Sequence, residues 1–153
     1  MMRTMPDNSN RSDETNRDWS IAMRNDLTGL KEGLNGLGAW LASHNVNTDA
    51  ENRARLVFEE IVTNVIRYGF DDGGAHTIRA NAQLKDGDLK LSFDDDGRSF
   101  DPTTAPAPAP DYSLGQASIG GRGLILVRAA ARALDYERTK DGRNRLTVTL
   151  ARQ

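Results

Sequence analysis

The stretch FEEIVTNVIRYGF, residues 58–70, predicts an amphipathic helix with two polar groups at the edge of its buried face. Apolar residues recur there at spacings of three and four, which is the helical period. The stripe that they form consists of Ala54, Phe58, Ile61, Val62 and Val65. Glu60 and Asn64 are four positions apart, so they lie one turn from each other and about 40° apart around the helix axis. The helix therefore presents a carboxylate and an amide next to the core.

These two groups have a chemical interpretation and a structural one. The Glu60 carboxylate can accept a proton or orient a nucleophile, and the carbonyl oxygen of Asn64 is a hard ligand that suits Mg²⁺. The alternative is a solvated Glu and Asn on a helix surface, which is the commoner case for such residues taken alone. Glu59 points about 100° away from Glu60 and is the weaker candidate.

Two helices are predicted between the first and second strands. The second begins at Thr48, where Thr48 and Glu51 form a capping box, and Gly69 follows its last residue as the C′ glycine. The first carries a leucine stripe, but its glycines weaken its propensity by up to about 1 kcal/mol each, so close packing against another backbone must hold it. The stripe comprises Leu27, Leu30, Leu34, Leu37 and Leu41, and the glycines are Gly29, Gly33, Gly36 and Gly38.

Alternating apolar residues predict five strands. The first covers residues 19–23, the second and third cover 78–84 and 89–93 around an Asp-Gly hairpin, and the last two cover 134–139 and 146–150. A loop rich in Ala, Pro and Gly, residues 101–120, is typical of a lid, and a helix from Gly121 to Ala133 follows it. The order β-α-α-β-β-loop-α-β-β predicts an α+β fold, a two-layer sandwich whose mixed, mostly antiparallel sheet carries its helices on one face.

Length and composition favour one cytoplasmic domain. The chain has 153 residues, of which 1–17 read as a disordered tail and 18–153 as the folded domain. The formal charge is -2, which argues against direct nucleic-acid binding. No cysteine is present, so disulfides and zinc-thiolate sites are excluded. The sequence shows neither an apolar run of about 20 residues nor a signal peptide, so we expect no membrane contact.

A second motif, DDGRSFDP at residues 95–102, follows the third strand. A strand that ends in D-x-G can aim one carboxylate into a pocket, because the glycine lets the backbone turn sharply. From the spacing to Gly97 and Phe100 we assign this carboxylate to Asp95. It can accept a hydrogen bond from an exocyclic amine such as N6 of adenine. An acidic turn formed for local reasons is an equally good interpretation of this motif alone.

A third motif, GGRGL at residues 120–124, opens the last helix. Backbone N–H groups of Gly121 and Gly123 can approach a phosphate at the helix N-terminus, and Arg122 can add a bidentate contact. The alternative is a flexible loop end with a solvated arginine. The motif is neither a Walker A loop nor a dinucleotide fingerprint. His44 and His76 have no partner motif, so we expect no metal role for them.

The three motifs in this order resemble the GHKL nucleotide-binding fold of gyrase-type, histidine-kinase and MutL-type ATPases. The compact form with a strand and two helices around the first motif is similar to the stand-alone anti-sigma-factor serine/threonine-protein kinases of bacteria. The resemblance covers residues 18–151. It implies a protein that binds ATP and Mg²⁺, binds a sigma factor, and phosphorylates a serine or threonine of a STAS-domain anti-anti-sigma protein.

The resemblance also implies roles for individual residues. Glu60 would be the general base for the acceptor hydroxyl, and Asn64 would ligate Mg²⁺. Asp95, supported by Gly97, would bind adenine N6. The phosphates would be held by Gly121, Arg122 and Gly123. Ser99 stands where a second glycine is usual in the D-x-G-x-G pattern, but short members of the group often lack that glycine.

Other functions remain open at this stage. The runner-up is a non-catalytic ATP-binding partner-switch module, which binds a regulator without phosphorylating it. Two further alternatives are less favoured. A histidine-kinase catalytic domain acting in trans is disfavoured because this sequence shows no helix pair with a phosphoacceptor histidine. A DNA-topology ATPase fragment is disfavoured because this sequence shows no transducer domain. The leucine stripe of the first helix leaves a homodimer open, although such a stripe is more often core.

Overall fold

The computed structural model describes residues 17–104 and 119–152, with side chains described from Leu124 onward in the second range. The predicted tail up to residue 16 and residues 105–118 of the predicted lid lie outside the described residues. Eight elements follow in order: β1 (Asp18–Arg24), α1 (Leu27–Ser43), α2 (Thr48–Tyr68), β2 (Thr77–Lys85), β3 (Asp88–Asp95), α3 (Ile119–Ala130), β4 (Ala133–Arg138) and β5 (Asn144–Ala151). This confirms the predicted order of elements.

The five strands form one sheet in the order β1-β2-β3-β5-β4. All four of its pairings are antiparallel, where a mixed sheet was expected. The connections explain this pattern. Two helices between β1 and β2 return the chain in the opposite direction. One helix between β3 and β4 makes those two strands run the same way, and β5 inserts between them, antiparallel to both.

The helices cover one face of the sheet, which confirms the α+β two-layer sandwich. Residues of β2 and β3 alternate between that buried face and the opposite, more exposed face. The Phe58 ring of α2 lies 5.6 Å from the Phe93 ring of β3, measured between ring centroids. The stripe predicted for α2 therefore packs directly on the central strand. Within the described residues, no helix is long and apolar enough to cross a bilayer.

The glycines of α1 allow it to lie unusually close to its neighbours, as predicted. A Cβ at Gly29 would collide with the carbonyl oxygen of Arg24 in β1. A Cβ at Gly33 would come within 2.7 Å of Phe58 Cζ in α2. Leu30, Leu37 and Leu41 of the leucine stripe are buried in the core. Leu27, at the first position of α1, is 75% exposed, so the stripe belongs to the core in the later turns of α1 and not at its first residue.

The predicted bounds of α2 are right, but both of its caps differ from the prediction, and the predicted bounds of α3 are wrong. The N-cap of α2 is Asn47, whose side chain accepts from the Ala50 N–H at 2.8 Å, so Thr48 is already helical and forms no cap. Gly69 has right-handed angles, φ -72° and ψ -30°, and not the left-handed conformation expected of a C′ glycine. Finally, α3 runs from Ile119 to Ala130 instead of 121–133. Its end is early because the Arg132 N–H bonds to the Thr149 carbonyl at 2.8 Å and joins the chain to the sheet.

Replacing the N-cap of α2 tests its assignment. Asn47→Ala is expected to lower the free energy of unfolding by about 1 kcal/mol, because one N–H of the first turn loses its acceptor. The matched control, Thr48→Ala, is expected to stay within about 0.5 kcal/mol of wild type. Urea denaturation measures both. A larger loss at Thr48 than at Asn47 would restore the capping box predicted from the sequence.

Candidate active site

Asp95 is the last residue of β3 and continues the inward alternation of that strand. Its side chain lies on the same face as Leu91 and Phe93, and the residue is 5% exposed. The Gly97 N–H donates a hydrogen bond to Asp95 Oδ1 at 2.9 Å. A buried carboxylate without hydrogen bonds is costly, so its position at the strand end depends on the donors around it.

Asn144 supplies the second donor, and the sequence analysis missed it. This buried residue begins β5 and pairs across the sheet with Asp95. Its Nδ2 donates to Asp95 Oδ1 at 3.0 Å and to the Arg98 carbonyl at 2.9 Å. Its Oδ1 accepts from Tyr136 Oη at 2.5 Å and from Arg138 Nη1 at 3.0 Å. The available signal was an amide at the start of an inward alternation that continues with Leu146, Val148 and Leu150.

The Asp95 carboxylate retains one oxygen for a ligand. Both of its hydrogen bonds end on Oδ1, and Oδ2 has no donor within the described ranges. No fully buried side-chain oxygen in those ranges lacks a partner, so Oδ2 reaches the surface. A fixed carboxylate with one free oxygen accepts a hydrogen bond from an amine. The role predicted for Asp95, to bind the exocyclic amine of adenine, needs such an oxygen and stays a prediction.

Gly97 brings this turn against the C-terminal end of α2. A Cβ at Gly97 would lie 2.6 Å from the Gly69 carbonyl oxygen and 2.8 Å from Asp95 Oδ1. The next residue donates its N–H to the same Gly69 oxygen at 2.9 Å, from Arg98. At 1.5 Å per helical residue, Asn64 and Glu60 lie about 7 and 13 Å back along α2 from Gly69. Asp95 therefore lies near the C-terminal end of the helix that carries Asn64 and Glu60.

Glu60 is half-buried on α2. Burial raises the pKa of its carboxyl group above the ordinary value of 4.5, the neighbouring charge of Glu59 raises it further, and the charge of Arg67 opposes both. Arg67 is exposed and lies seven residues after Glu60, on the same side of the helix as Asn64. A carboxylate with a raised pKa is a stronger base, which suits proton transfer from a hydroxyl group.

The glycine motif forms the first turns of α3, which packs against α2. Gly121 and Gly123 lie within the helix, and the side chain of Arg122 lies outside the described residues. Free backbone N–H groups of a first turn are suited to an anion. From the other end of α3, the Arg128 guanidinium donates to the Pro102 carbonyl at 2.5 Å. This bond fixes the chain that follows the D-x-G motif, where the predicted lid begins.

His76 lies near the D-x-G turn and, among the described residues, does not belong to a cluster of metal ligands. Its Nε2 lies 2.8 Å from Asp72 Oδ2, and its ring stacks on Phe70 at 3.9 Å between centroids. The Gly74 N–H, and then His76, hold the pKa of Asp72 below its usual range. Across the described part of the chain, no three His, Asp or Glu side chains gather as a metal site. His44 lies at the opposite end of the sheet, where its ring contacts Trp40.

Sequence comparison identifies relatives of this chain. A family model described as a histidine kinase-like ATPase domain matches residues 23–150. The serine/threonine-protein kinase BtrW of Bordetella bronchiseptica is 35% identical over 94 residues, which make up 61% of this chain and 66% of that protein. The match thus spans slightly less than two thirds of that curated relative.

Solved structures share the fold at low sequence identity. The RsbU and RsbW domains of Rv1364c from Mycobacterium tuberculosis match with a TM-score of 0.62 and 17% identity, over 88% of this chain and 32% of that one. The SiaB–SiaC complex from Pseudomonas aeruginosa matches with a TM-score of 0.56 and 17% identity, over 97% of this chain and 99% of the matched chain. These likenesses confirm the GHKL-type fold that the motifs suggested.

The raised pKa of Glu60 predicts a stability cost at neutral pH. In the folded state the carboxyl group of Glu60 holds its proton more tightly than in the unfolded state. Binding of this proton therefore stabilises the fold fully below pH 4.5, and the stabilisation is lost as the pH rises through the folded pKa. Glu60→Gln is therefore expected to have a higher Tm than wild type at pH 7, with a difference that shrinks at pH 4. Differential scanning calorimetry measures both, with Glu32→Gln, at an exposed glutamate of α1, as the matched control. A lower Tm for Glu60→Gln at pH 7 would contradict the assignment.

Proposed function

Because this chain belongs to the histidine kinase-like ATPase domain family, we propose that it is an ATP-dependent serine/threonine-protein kinase that acts as an anti-sigma regulatory factor. It transfers the γ-phosphate of ATP to a serine or threonine of a STAS-domain anti-anti-sigma protein, and it sequesters a sigma factor. One observation carries the proposal: buried Asp95, with one oxygen free, lies at the end of the helix that bears Asn64 and Glu60. The relative named as a serine/threonine-protein kinase supports the kinase assignment.

The nucleotide would lie along the line from Asp95 to Glu60. Asp95 Oδ2 would accept the hydrogen bond of the adenine amine, and the Gly97 N–H supports Asp95 by donating to its other oxygen, Oδ1. The side-chain oxygen of Asn64 would ligate Mg²⁺. Gly121, Arg122 and Gly123, in the first turns of α3, would hold the phosphates, with the N–H of Gly121 in the first turn facing the anion. When bound, Mg-ATP supplies the γ-phosphoryl group and a leaving group whose charge the metal neutralises.

Glu60 acts on the acceptor hydroxyl. Its carboxylate accepts the hydroxyl proton as the acceptor oxygen forms its bond to the γ-phosphorus and the bond to the oxygen of ADP breaks. Half-burial favours this step, because a carboxylate removed from water binds a proton more strongly. The charge of Arg67 keeps the ionised form accessible, since it opposes the effect of burial.

The partners follow from the resemblance of the three motifs. A sigma factor and a STAS-domain protein are the two macromolecular partners, and the protein works in the cytoplasm without direct contact to nucleic acid or membrane. Homodimerisation through α1 would involve a small surface, because Leu30, Leu37 and Leu41 are already buried within the chain. We therefore assign the catalytic and binding roles to residues within one chain.

Calorimetric titration with ATP tests the nucleotide site. Wild type is expected to bind ATP in a Mg²⁺-dependent manner. Asp95→Asn is expected to lose about tenfold or more in affinity, since a hydrogen bond to a charged group contributes about 1.5–3 kcal/mol. Asn64→Ala is expected to lose the dependence on Mg²⁺. The control is Asp96→Asn, which changes an exposed neighbour. If millimolar ATP does not bind to wild type, the nucleotide site is disproved.

Phosphoryl transfer tests the enzymatic step. With Mg-ATP and a STAS-domain protein shown to bind the chain, wild type is expected to phosphorylate a serine or threonine, detected by mass spectrometry. Glu60→Gln is expected to slow transfer by about 100-fold or more while ATP still binds, because the base is lost. Glu59→Gln serves as the control. If wild type binds ATP and the STAS protein without transfer, the non-catalytic partner-switch module is the better description.

A further inference from the structure

A small cavity of about 190 Å³ lies at the end of the sheet opposite to Asp95. Its walls come from the β2–β3 hairpin turn, from the end of α1 and from both ends of the described chain. The cavity is lined by the polar residues Arg17, His44, Lys85, Asp86 and Arg152 and by Gly87. Asp88 and Asp95 are the two ends of β3, so seven residue steps of about 3.3 Å separate this cavity from the candidate nucleotide site by about 23 Å.

From this cavity we propose a second binding site, specific for a single phosphate group and independent of the proposed kinase function. Three cationic side chains line it, those of Arg17, Lys85 and Arg152. None of them forms an ion pair with a carboxylate in the described residues. Asp86 is the one acidic residue in the lining, which leaves a net charge of two positive units. Repulsion among these cations is relieved when an anion binds between them.

Backbone contacts hold the lining in place. Arg152 donates from Nη2 to the His44 carbonyl at 3.0 Å, and its backbone N–H bonds to the Gly87 carbonyl at 3.4 Å. The Arg17 carbonyl accepts from the Leu84 N–H at 3.1 Å, which attaches that residue to β2. A binding site whose groups are already positioned loses less entropy when the ligand binds.

The size and donors of the cavity select the ligand. Pockets for larger organic ligands have volumes of about 300–1,000 Å³, so a volume of 190 Å³ is small for a nucleotide and suits one phosphate group. Guanidinium and ammonium groups are the side chains that bind phosphate oxygens best. A free phosphate anion and a phosphorylated serine side chain present the same oxygens, so either source can supply the phosphate group.

Amide chemical shifts of the full chain, measured by NMR during titration, test the site. The probes are inorganic phosphate and blocked phosphoserine at pH 7.5, with ionic strength held constant by sodium chloride and blocked serine as the control. At least one of the two probes is expected to shift the amide signals of Lys85, Gly87 and Arg152. The shifts should saturate and fit a single dissociation constant. Tighter binding of phosphoserine identifies a phosphorylated side chain as the source, and tighter binding of phosphate identifies a free anion.

Charge variants make the test specific. Lys85→Gln is expected to weaken binding by about two- to fivefold, as for an exposed ion pair, and Arg17→Gln with Lys85→Gln by more. Asp86→Asn is expected to tighten it, and the exchange preserves the turn because Asn tolerates the positive φ of 55° at this position. The control is Lys140→Gln in the other hairpin. Any one of four results would overturn the proposal. These are no saturable shifts up to about 50 mM of either probe, equal shifts with chloride, no effect of Lys85→Gln or Asp86→Asn on binding, and shifts confined to the Asp95 end of the sheet.

Discussion

The contact between the D-x-G turn and the end of α2 is the constraint on which the candidate site depends. The Gly69 carbonyl accepts the Arg98 N–H at 2.9 Å, and Gly97 lies so close to the same oxygen that a Cβ would come within 2.6 Å of it. This approach joins the end of the central strand to the end of the helix that carries the polar face. Without it, Asp95 and Asn64 would belong to two separate parts of the fold. A glycine is needed at residue 97 because of this contact, and not because of a positive φ, since its angle is not in the left-handed region.

A buried carboxylate at the edge of the core has a cost that the neighbouring side chains offset. Asp95 is 5% exposed, and burying an unpaired charge is strongly unfavourable. Asn144 compensates by donating to Oδ1, and its own carbonyl oxygen is satisfied by Tyr136 and Arg138. The network reaches three elements, β3, β4 and β5. It satisfies one carboxylate oxygen completely and leaves the other for a ligand, so the same bonds that make burial tolerable also orient the free oxygen.

The sequence predicted those features that depend on a local period and missed those that depend on one residue or on distant partners. Alternation in β2 and β3 and the apolar stripe of α2 are periodic over several residues, so their assignments were right. Asn47 and Thr48 are both good caps, and the choice between them depends on backbone angles that the sequence does not determine. Leu27 has the spacing of a core residue but lies at the tip of α1. Asn144 gains its importance from its pairing with Asp95, which is 49 residues away, and no local pattern reveals strand register over that distance.

The position of Glu60 shows why fold and proposed chemistry are coupled in this protein. It lies on α2 between Phe58 and Ile61, both of which are buried. Glu60 flanks the buried face of the helix and is half-buried, and that burial raises the pKa of its carboxyl group. The base therefore gains strength from the packing of its own helix, without a special pocket. Val57, three positions before Glu60 and so its neighbour on the helix surface, is fully buried. A change that loosens the packing at Val57 would let water reach Glu60 and lower its pKa, so core packing and proton affinity at this residue change together.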